Sequence, residues 1–357
     1  MKCCGTWSRH MGRQTVRGRV TGSANSLLAV LLGVSIAAWT ISSARAQSSI
    51  DDVHIQPRTE LPIDSQMLVG GPKLDSGSKP LKVLVDLVLV PVTILDGMNR
   101  LVRGLGRDNF QVFEGKHPQD IRYFSSEDAP VSVGIILDVS GSMSDKIYRA
   151  REAVLDFLNA ANSQDEFFMI TFADKPEQAA DFTEHLEDIQ AKLVYAVPRG
   201  RTSLLDAIYL GISKMRQAKH SRRALLIISD GGDNHSRYTE SEIVSQVKEA
   251  DVMIYGIGLY DRRFPTPEEF LGPELLRKVS EVTGGCSFTI DNPNDLAQVT
   301  KGVGVMLRNQ YLLGYRPDAV SRDGKWHKIK IKLKHPKKIK FPTLRVYAKA
   351  GYYAPAE

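Results

Sequence analysis

The chain has 357 residues, of which 42% are hydrophobic and 25% are charged. These values are ordinary for a globular protein and exclude collagen-like, disordered and coiled-coil chains. The formal net charge of +6 comes from the first 46 residues, which contain six of the 47 Lys and Arg residues and no acidic residue. The 41 basic residues that remain equal the 41 acidic residues in number. The sequence therefore does not predict a protein that binds nucleic acid.

Residues 1–46 have the pattern of an export signal. A basic stretch precedes an apolar run from Leu27 to Ile41, and Ala44-Arg45-Ala46 then gives a small-x-small cleavage pattern. The apolar run is shorter than the roughly 20 residues of a membrane span, although an uncleaved anchor is the alternative. We expect an exported protein that is periplasmic, on the cell surface or secreted, with no transmembrane span after cleavage. Cys286 would then be its only cysteine, which excludes an internal disulfide.

The next 82 residues divide into a linker and a β-rich segment. Residues 47–80 are polar and are interrupted by prolines and glycines, which predicts a flexible linker. Residues 81–128 are β-rich: Lys82 to Leu95 is rich in β-branched residues, Phe110 to Phe113 alternates, and Ile121 to Phe124 forms a further β-pattern. They predict the first part of a small β-module.

Residues 129–307 have an α/β pattern. Amphipathic helical patterns separate a series of apolar runs. Apolar strands that alternate with helices indicate a parallel sheet buried on both faces, so we predict a doubly wound, mainly parallel α/β sheet. A further helix is predicted from Pro273, a short strand from Cys286 to Ile290, and a last helix to about Arg308. The runs taken as the main strands are Val131 to Leu137, Phe167 to Phe172, Ala224 to Ile228 and Val252 to Leu259.

The β-pattern returns in residues 308–357. Trp326 to Lys334 alternates between apolar residues and lysines, and Leu344 to Ala348 forms another strand pattern. Neither β-segment is large enough to bury a core alone. We therefore predict that residues 81–128 and 308–357 form one discontinuous β-sandwich-like module, into which the α/β domain is inserted.

Eight lysines lie between Lys325 and Lys340. Their alternation with apolar residues indicates that the lysines form the solvated face of an amphipathic strand. Their charge would protect a sheet edge from edge-to-edge aggregation. Binding of this strand to an anionic envelope surface is the alternative.

Polar residues lie at the ends of the predicted parallel strands. Asp138 ends the first α/β strand and is followed by Ser140 and Ser142, while Asp230 follows the third apolar run and Thr202 lies in a loop between them. In open α/β sheets this carboxyl edge is where ligands bind. A set of hydroxyl and carboxylate oxygens suits Mg²⁺ or Mn²⁺ better than zinc or copper.

These residues resemble the metal-ion-dependent adhesion site of von Willebrand factor type A domains. The order and spacing of Asp138-x-Ser140-x-Ser142, Thr202 and Asp230 match over about residues 129–307. Flanking motifs extend the resemblance to about residues 81–355 and to a bacterial family of exported proteins related to these domains. The motifs on the two sides include Asp108-x-Phe110-x-Val112-Phe113-Glu114-Gly115, Tyr311-Leu312-Leu313-Gly314-Tyr315 and Gly351-Tyr352-Tyr353.

The resemblance implies a role for each residue. Ser140 and Ser142 would bind the metal through their hydroxyls, Thr202 directly or through water, and Asp138 and Asp230 through water or as nearby charges. A remaining position on Mg²⁺, Mn²⁺ or Ca²⁺ would accept an Asp or Glu carboxylate of a partner protein. Arg201 departs from the small residue that many relatives have before the threonine. It would either crowd that ligand or pair with an incoming acid.

Four other residues near these loops or in the α/β domain have simpler interpretations. We interpret Asp206 as a negative charge at the start of a helix, where it complements the helix dipole. We interpret Asp233 and His235 as residues of a solvated loop. A role beside the metal is the alternative. Cys286 fits a buried structural thiol better than a reactive one.

Enzyme signatures are incomplete in this sequence. A haloacid-dehalogenase-type phosphatase has a second Asp at the position of Ser140, and a serine cannot replace it as general acid. A serine hydrolase has a Gly-x-Ser-x-Gly nucleophile elbow, which is absent from Val139-Ser140-Gly141-Ser142-Met143. A subunit of the chelatase type acts with cytosolic ATPases, which disagrees with an export signal. We therefore expect no enzyme, but a metal-dependent module for adhesion or protein binding. A structural envelope protein with a vestigial metal site is the first alternative and a metal-dependent hydrolase the second.

Overall fold

The computed structural model describes residues 87–230, 232–260, 267–317, 323–334 and 344–356. The predicted signal peptide, the predicted linker and the lysines Lys337, Lys338 and Lys340 lie outside the described residues. Within the described ranges, no helix is both long and apolar enough to cross a membrane.

In chain order the strands are β1 (Val88–Leu95), β2 (Phe110–Glu114), β3 (His117–Gln119), β4 (Ile121–Ser125), β5 (Val131–Asp138), β6 (Glu166–Phe172), β7 (Pro176–Thr183), β8 (Arg222–Ser229), β9 (Met253–Leu259), β10 (Ser287–Ile290), β11 (Tyr311–Tyr315), β12 (Trp326–Leu333), β13 (Arg345–Ala348) and β14 (Gly351–Tyr353). The helices are α1 (Ile147–Asn159), α2 (Leu186–Val194), α3 (Leu204–Met215), α4 (Glu240–Glu249), α5 (Pro267–Thr283) and α6 (Leu296–Arg308).

The β-module consists of two four-stranded antiparallel sheets, ordered β13-β1-β11-β4 and β14-β12-β2-β3. Each sheet combines strands from both sides of the α/β domain. Alternate residues of the two sheets meet in one buried core that includes Val92, Val112, Leu313 and Ile331. Pro91 is tolerated in β1 because β13 pairs with β1 only from Val92 onward.

The α/β domain is built on a six-stranded sheet ordered β10-β9-β8-β5-β6-β7. All pairs are parallel except β6 and β7. All eight residues of the central strand β5 are buried. On one face Ile135 packs with residues of α1, α2 and α6, and on the other Ile136 packs with residues of α3, α4 and α5. Helices on both faces of a mainly parallel sheet confirm the predicted fold class.

The α/β domain passes into the β-module through two residues between α6 and β11. Gln310, one of the two, is buried and donates a hydrogen bond of 3.1 Å to the hydroxyl of Tyr255 in β9. Leu95 and Tyr347 of the β-module belong to the same buried core as α1 and α6. The connection is therefore short and is packed against the sheet that carries the candidate ligands.

The structure corrects the predicted start of α5. The helix begins at Pro267, six residues before the predicted start at Pro273, which lies inside it. A proline within a helix removes one backbone hydrogen bond. Burial of Leu276 and Val279 on the sheet stabilises the helix in spite of that loss.

Candidate metal site

Asp138 and Asp230 lie side by side at one edge of the sheet. Asp138 ends β5, and Asp230 directly follows β8, the parallel neighbour of β5. The register pairs Leu137 with Ile228, which aligns the ends of the two strands. Both aspartate side chains are fully buried. The fold therefore brings together two carboxylates that are 92 positions apart in sequence.

The segment after β5 brings two hydroxyls to these carboxylates. The backbone N–H of Ser140 donates to Asp138 Oδ1 at 2.8 Å, which turns the chain sharply after the strand. A 3₁₀ turn over Gly141–Met143 follows, fixed by the fully buried Met143. Ser140 Oγ lies 3.0 Å from Ser142 Oγ, which donates to Asp230 Oδ1 at 2.8 Å. Both carboxylates and both hydroxyls thus belong to one hydrogen-bonded chain, which we call the Asp-Ser-Ser-Asp chain.

A second loop carries Thr202 to the same edge. Backbone hydrogen bonds join Arg199 N–H to Val139 O (2.8 Å) and Gly141 N–H to Gly200 O (3.0 Å), which holds the two loops against each other. Gly200 has a φ of +75°, where a side chain is disfavoured. Thr202 is buried, and its backbone N–H donates to Asn234 Oδ1 at 2.9 Å. The loop is therefore fixed from both sides.

Burial and charge act together on Asp138. Burial raises the pKa of Asp138 to about 6, the nearby charge of Asp230 adds to this effect, and hydrogen bonds from Ser140 and Ser229 oppose it. Ser229 Oγ donates to Asp138 Oδ2 at 2.5 Å. Among the described residues Asp138 has hydrogen-bond donors but forms no ion pair. A bound cation would supply the missing positive charge.

Asp230 differs from Asp138 because a lysine contacts it. Lys146, directly before α1, donates from Nζ to Asp230 Oδ2 at 2.7 Å. The lysine side chain is only 12% exposed. The two oxygens of Asp230 are therefore divided between a hydroxyl and an ammonium group.

The structure brings all five predicted residues to the same edge. Asp138, Ser140, Ser142 and Asp230 form the Asp-Ser-Ser-Asp chain, and Thr202 joins through its loop. Sequence reasoning missed three further residues, Lys146, Ser229 and Asn234. Position gave a signal for one of them, since Ser229 directly precedes Asp230 at the end of the same apolar run.

The neighbouring polar residues hold the loops together. Asp206 is buried and accepts from the backbone N–H of Arg237 at 2.9 Å, while Asp233 accepts from that of Leu205 at the start of α3. His235 contacts Thr202 through a backbone bond of 3.0 Å.

Arg201 and Cys286 have separate surroundings. Arg201 is exposed, and its Nε lies 3.4 Å from Asp174 Oδ1, so an acid of this chain already pairs with it. Cys286 is buried at the start of β10, as expected for a structural thiol.

The donor types fit a hard divalent cation. Within the described part of the chain, no group of three or more His, Cys, Asp or Glu side chains is arranged to hold a metal. The Asp-Ser-Ser-Asp chain instead supplies two carboxylates and two hydroxyls, with Thr202 adjacent. Oxygen donors of this kind suit Mg²⁺, Mn²⁺ or Ca²⁺.

Comparison with known families agrees with the fold. The von Willebrand factor type A domain family matches residues 133–232, which include all five predicted residues. The chain contains a von Willebrand factor type A domain. The type A domain lies between the two β-segments, which the family match does not include.

Two curated relatives share part of the chain. Inter-alpha-trypsin inhibitor heavy chain H4 of Sus scrofa is 25% identical over 226 residues, which cover 57% of this chain and 23% of that protein. An uncharacterized protein of Borreliella burgdorferi is 21% identical over 191 residues, which cover 46% of this chain and 55% of that protein. The chain thus spans about a quarter and about half the length of these relatives.

Solved structures resemble the type A domain more distantly. Proximal thread matrix protein 1 from the mussel byssus, with a zinc-occupied MIDAS motif, is 14% identical and has a TM-score of 0.44. The likeness covers 54% of this chain and 49% of that chain. Because the TM-score is below 0.5, the assignment of a ligand depends on the residues of this chain.

Proposed function

We propose that this protein is an exported, metal-dependent binding module without catalytic activity. Ser140 and Ser142 would bind a divalent ion, Mg²⁺ first and Mn²⁺ or Ca²⁺ as alternatives, with Thr202, Asp138 and Asp230 around it. The bound ion would supply a Lewis-acidic position for an Asp or Glu carboxylate of a partner protein. The observation that supports this proposal is the Asp-Ser-Ser-Asp chain, in which the candidate oxygen donors converge on one edge of the sheet, with Asp138, Ser140 and Asp230 buried and Ser142 exposed.

The charge of the donors supports binding of a carboxylate. Hydroxyl ligands are neutral, so they leave a bound dication short of negative charge. An anionic ligand from a partner is then strongly favoured. Hydrolysis would further require a positioned general base or nucleophile, and the described loops contain neither the elbow nor the second Asp of the enzymes considered above.

The surface beside the candidate ligands supports a protein partner. Tyr148 in the first turn of α1 is 63% exposed, and Tyr195 after α2 is 80% exposed. Val194 and Val197, on either side of Tyr195, are also exposed. We call these four residues the apolar rim. Arg151 donates to Ala196 O at 2.6 Å and so joins α1 to this segment. The segment continues directly into the loop of Thr202. Exposed apolar groups beside a polar centre are typical of protein interaction surfaces.

A thermal stability assay tests the metal site. Mg²⁺ at a hundredfold excess over its dissociation constant should stabilise the protein by about 2.7 kcal/mol, a rise of several degrees in melting temperature. EDTA should reverse it. The double variant Ser140→Ala with Ser142→Ala should lose the shift. A matched double variant, Ser126→Ala with Ser213→Ala, changes two exposed serines elsewhere and should retain it.

The same assay separates the alternatives. A metal shift that survives in the Ser140/Ser142 variant would locate the ion elsewhere. The absence of any shift with Mg²⁺, Mn²⁺ or Ca²⁺ would favour a structural envelope protein with a vestigial site. Hydrolysis that depends on the metal and is lost with Ser140 would favour the hydrolase.

A further inference from the structure

Lys146 occupies a position that helix formation does not favour. It directly precedes α1, where the positive end of the helix dipole disfavours a cation. The side chain is nevertheless almost completely buried, and its Nζ lies 2.7 Å from Asp230 Oδ2. Burial of an ammonium group costs free energy unless it is paired. The pairing with Asp230 therefore fixes this side chain at the candidate metal site.

Lys146 changes the charge that the site presents. Asp138 and Asp230 together carry two negative charges, and Lys146 reduces this to one. With a divalent ion bound, the total is +1 with Lys146 but zero without it. An incoming carboxylate would then meet a positive site rather than a neutral one.

We infer that Lys146 is a fixed counter-charge that lowers the affinity of the site for a divalent ion and raises the affinity of the loaded site for a carboxylate. The inference rests on the proposed function. It assigns Lys146 a role in specificity, because the residue weakens binding of the cation and strengthens binding of the partner's anionic group to the loaded site. The charge acts at a fixed position, because the Lys146 side chain is mostly buried and is hydrogen bonded to Asp230 of the Asp-Ser-Ser-Asp chain.

The closing experiment measures the two affinities separately. Binding of Mn²⁺ is followed by electron paramagnetic resonance of the free ion. Binding of acetate to the Mn²⁺-loaded protein is followed by thermal stability, with acetamide as the uncharged counterpart. Lys146→Gln removes the charge but keeps a donor to Asp230, and Lys146→Arg keeps the charge. Lys214→Gln is the matched control, because Lys214 is 11% exposed and paired with Asp181, at the opposite end of α3 from the candidate ligands.

In Lys146→Gln we expect Mn²⁺ to bind about tenfold more tightly and acetate about tenfold more weakly, as the loss of one nearby charge predicts. Lys146→Arg and Lys214→Gln should keep both affinities near those of the wild type. Because Mn²⁺ titration itself detects only folded, binding-competent protein, reduced stability of a variant does not obscure the result.

The outcomes distinguish this inference from the proposed function. If the wild type binds no Mn²⁺, the proposed function fails and the inference fails with it. If the wild type binds Mn²⁺ and acetate but Lys146→Gln binds both with unchanged affinity, the role of Lys146 is refuted while the proposed function stands. Tighter Mn²⁺ binding with no weakening of acetate also refutes it, because the two effects have the same cause.

Discussion

The hydroxyl of Ser229 donates a hydrogen bond of 2.5 Å to Asp138 Oδ2, which links the ends of the parallel strands β8 and β5. Both side chains are fully buried. The other oxygen of Asp138 accepts the backbone N–H of Ser140. The carboxylate is therefore oriented by its own turn on one side and by the neighbouring strand on the other.

Removal of this hydroxyl should destabilise the protein. Ser229→Ala leaves an oxygen of the buried Asp138 without its donor, which costs about 1–3 kcal/mol. Urea denaturation measures the change. Ser280→Ala is the matched control, because the Ser280 hydroxyl is buried but has no hydrogen-bond partner among the residues that the structure describes. Its removal should change the stability little. Equal losses in the two variants would show that burial, rather than the bond to Asp138, determines the cost.

Gly200 should be required for the position of Thr202. A Cβ on Gly200 would lie 2.5 Å from Asp174 Oδ2, and φ is +75°. Gly200→Ala should therefore strain the backbone by about 1–2 kcal/mol and also displace Asp174, which accepts the N–H of Arg201. We expect weaker Mn²⁺ binding by titration. Gly104→Ala is the matched control, since φ is +80° and an added Cβ would meet no atom of the described residues within 4 Å, its chain neighbours aside. It should lose stability but keep its Mn²⁺ affinity.

His327 should make the stability of the β-module depend on pH. Its hydrogen bond with Glu114 (2.6 Å) raises the pKa of His327 above the usual value, Asp323 adds to this effect, and burial opposes it. Tyr315 and Tyr352 also contact Glu114. A raised pKa means that the folded protein holds the proton more tightly than the unfolded chain. The added stability is thus fully present below about pH 6.5 and is lost as pH rises through the folded pKa.

Thermal melting across this range checks the effect of His327. The melting temperature should fall as pH rises above about 6.5, and His327→Gln should reduce that dependence. His185→Gln is the control, because His185 is exposed directly before α2, in the α/β domain and not beside Glu114. An unchanged pH dependence in His327→Gln would assign the effect to other groups.

The buried elements could be predicted from the sequence because burial leaves a pattern. The apolar runs from Val131 and from Ala224 become β5 and β8, since a strand covered by helices on both faces has no polar side. The alternation of Trp326 to Lys334 becomes β12, with Ile329 and Ile331 buried. Because parallel strands end at the same edge of a sheet, the positions of these runs also predicted that Asp138 and Asp230 lie at one edge.

Other features could not be predicted because they depend on tertiary contacts. β7, with the sequence Pro-Glu-Gln-Ala-Ala-Asp-Phe-Thr, has no buried residue and pairs with β6 through two register shifts, so neither hydropathy nor alternation marks it as a strand. Lys146 resembles a solvated residue at a helix start. Its contact with Asp230 spans 84 residues and follows only from the fold.

The apolar rim should contribute to binding of a partner without affecting the metal. Tyr195 is 80% exposed, so Tyr195→Ser should change stability by less than about 0.5 kcal/mol and leave the Mn²⁺ affinity unchanged. A short peptide with one glutamate between leucines should bind the Mg²⁺-loaded protein more tightly than the same peptide with glycines, because the leucines bury apolar area on the rim. Fluorescence anisotropy of the labelled peptides measures both affinities. Tyr195→Ser should reduce this preference severalfold, whereas Met98→Ser, at a residue that is 64% exposed in the β-module, should leave it intact. Equal affinities for the two peptides in the wild type would mean that the partner contacts the metal alone.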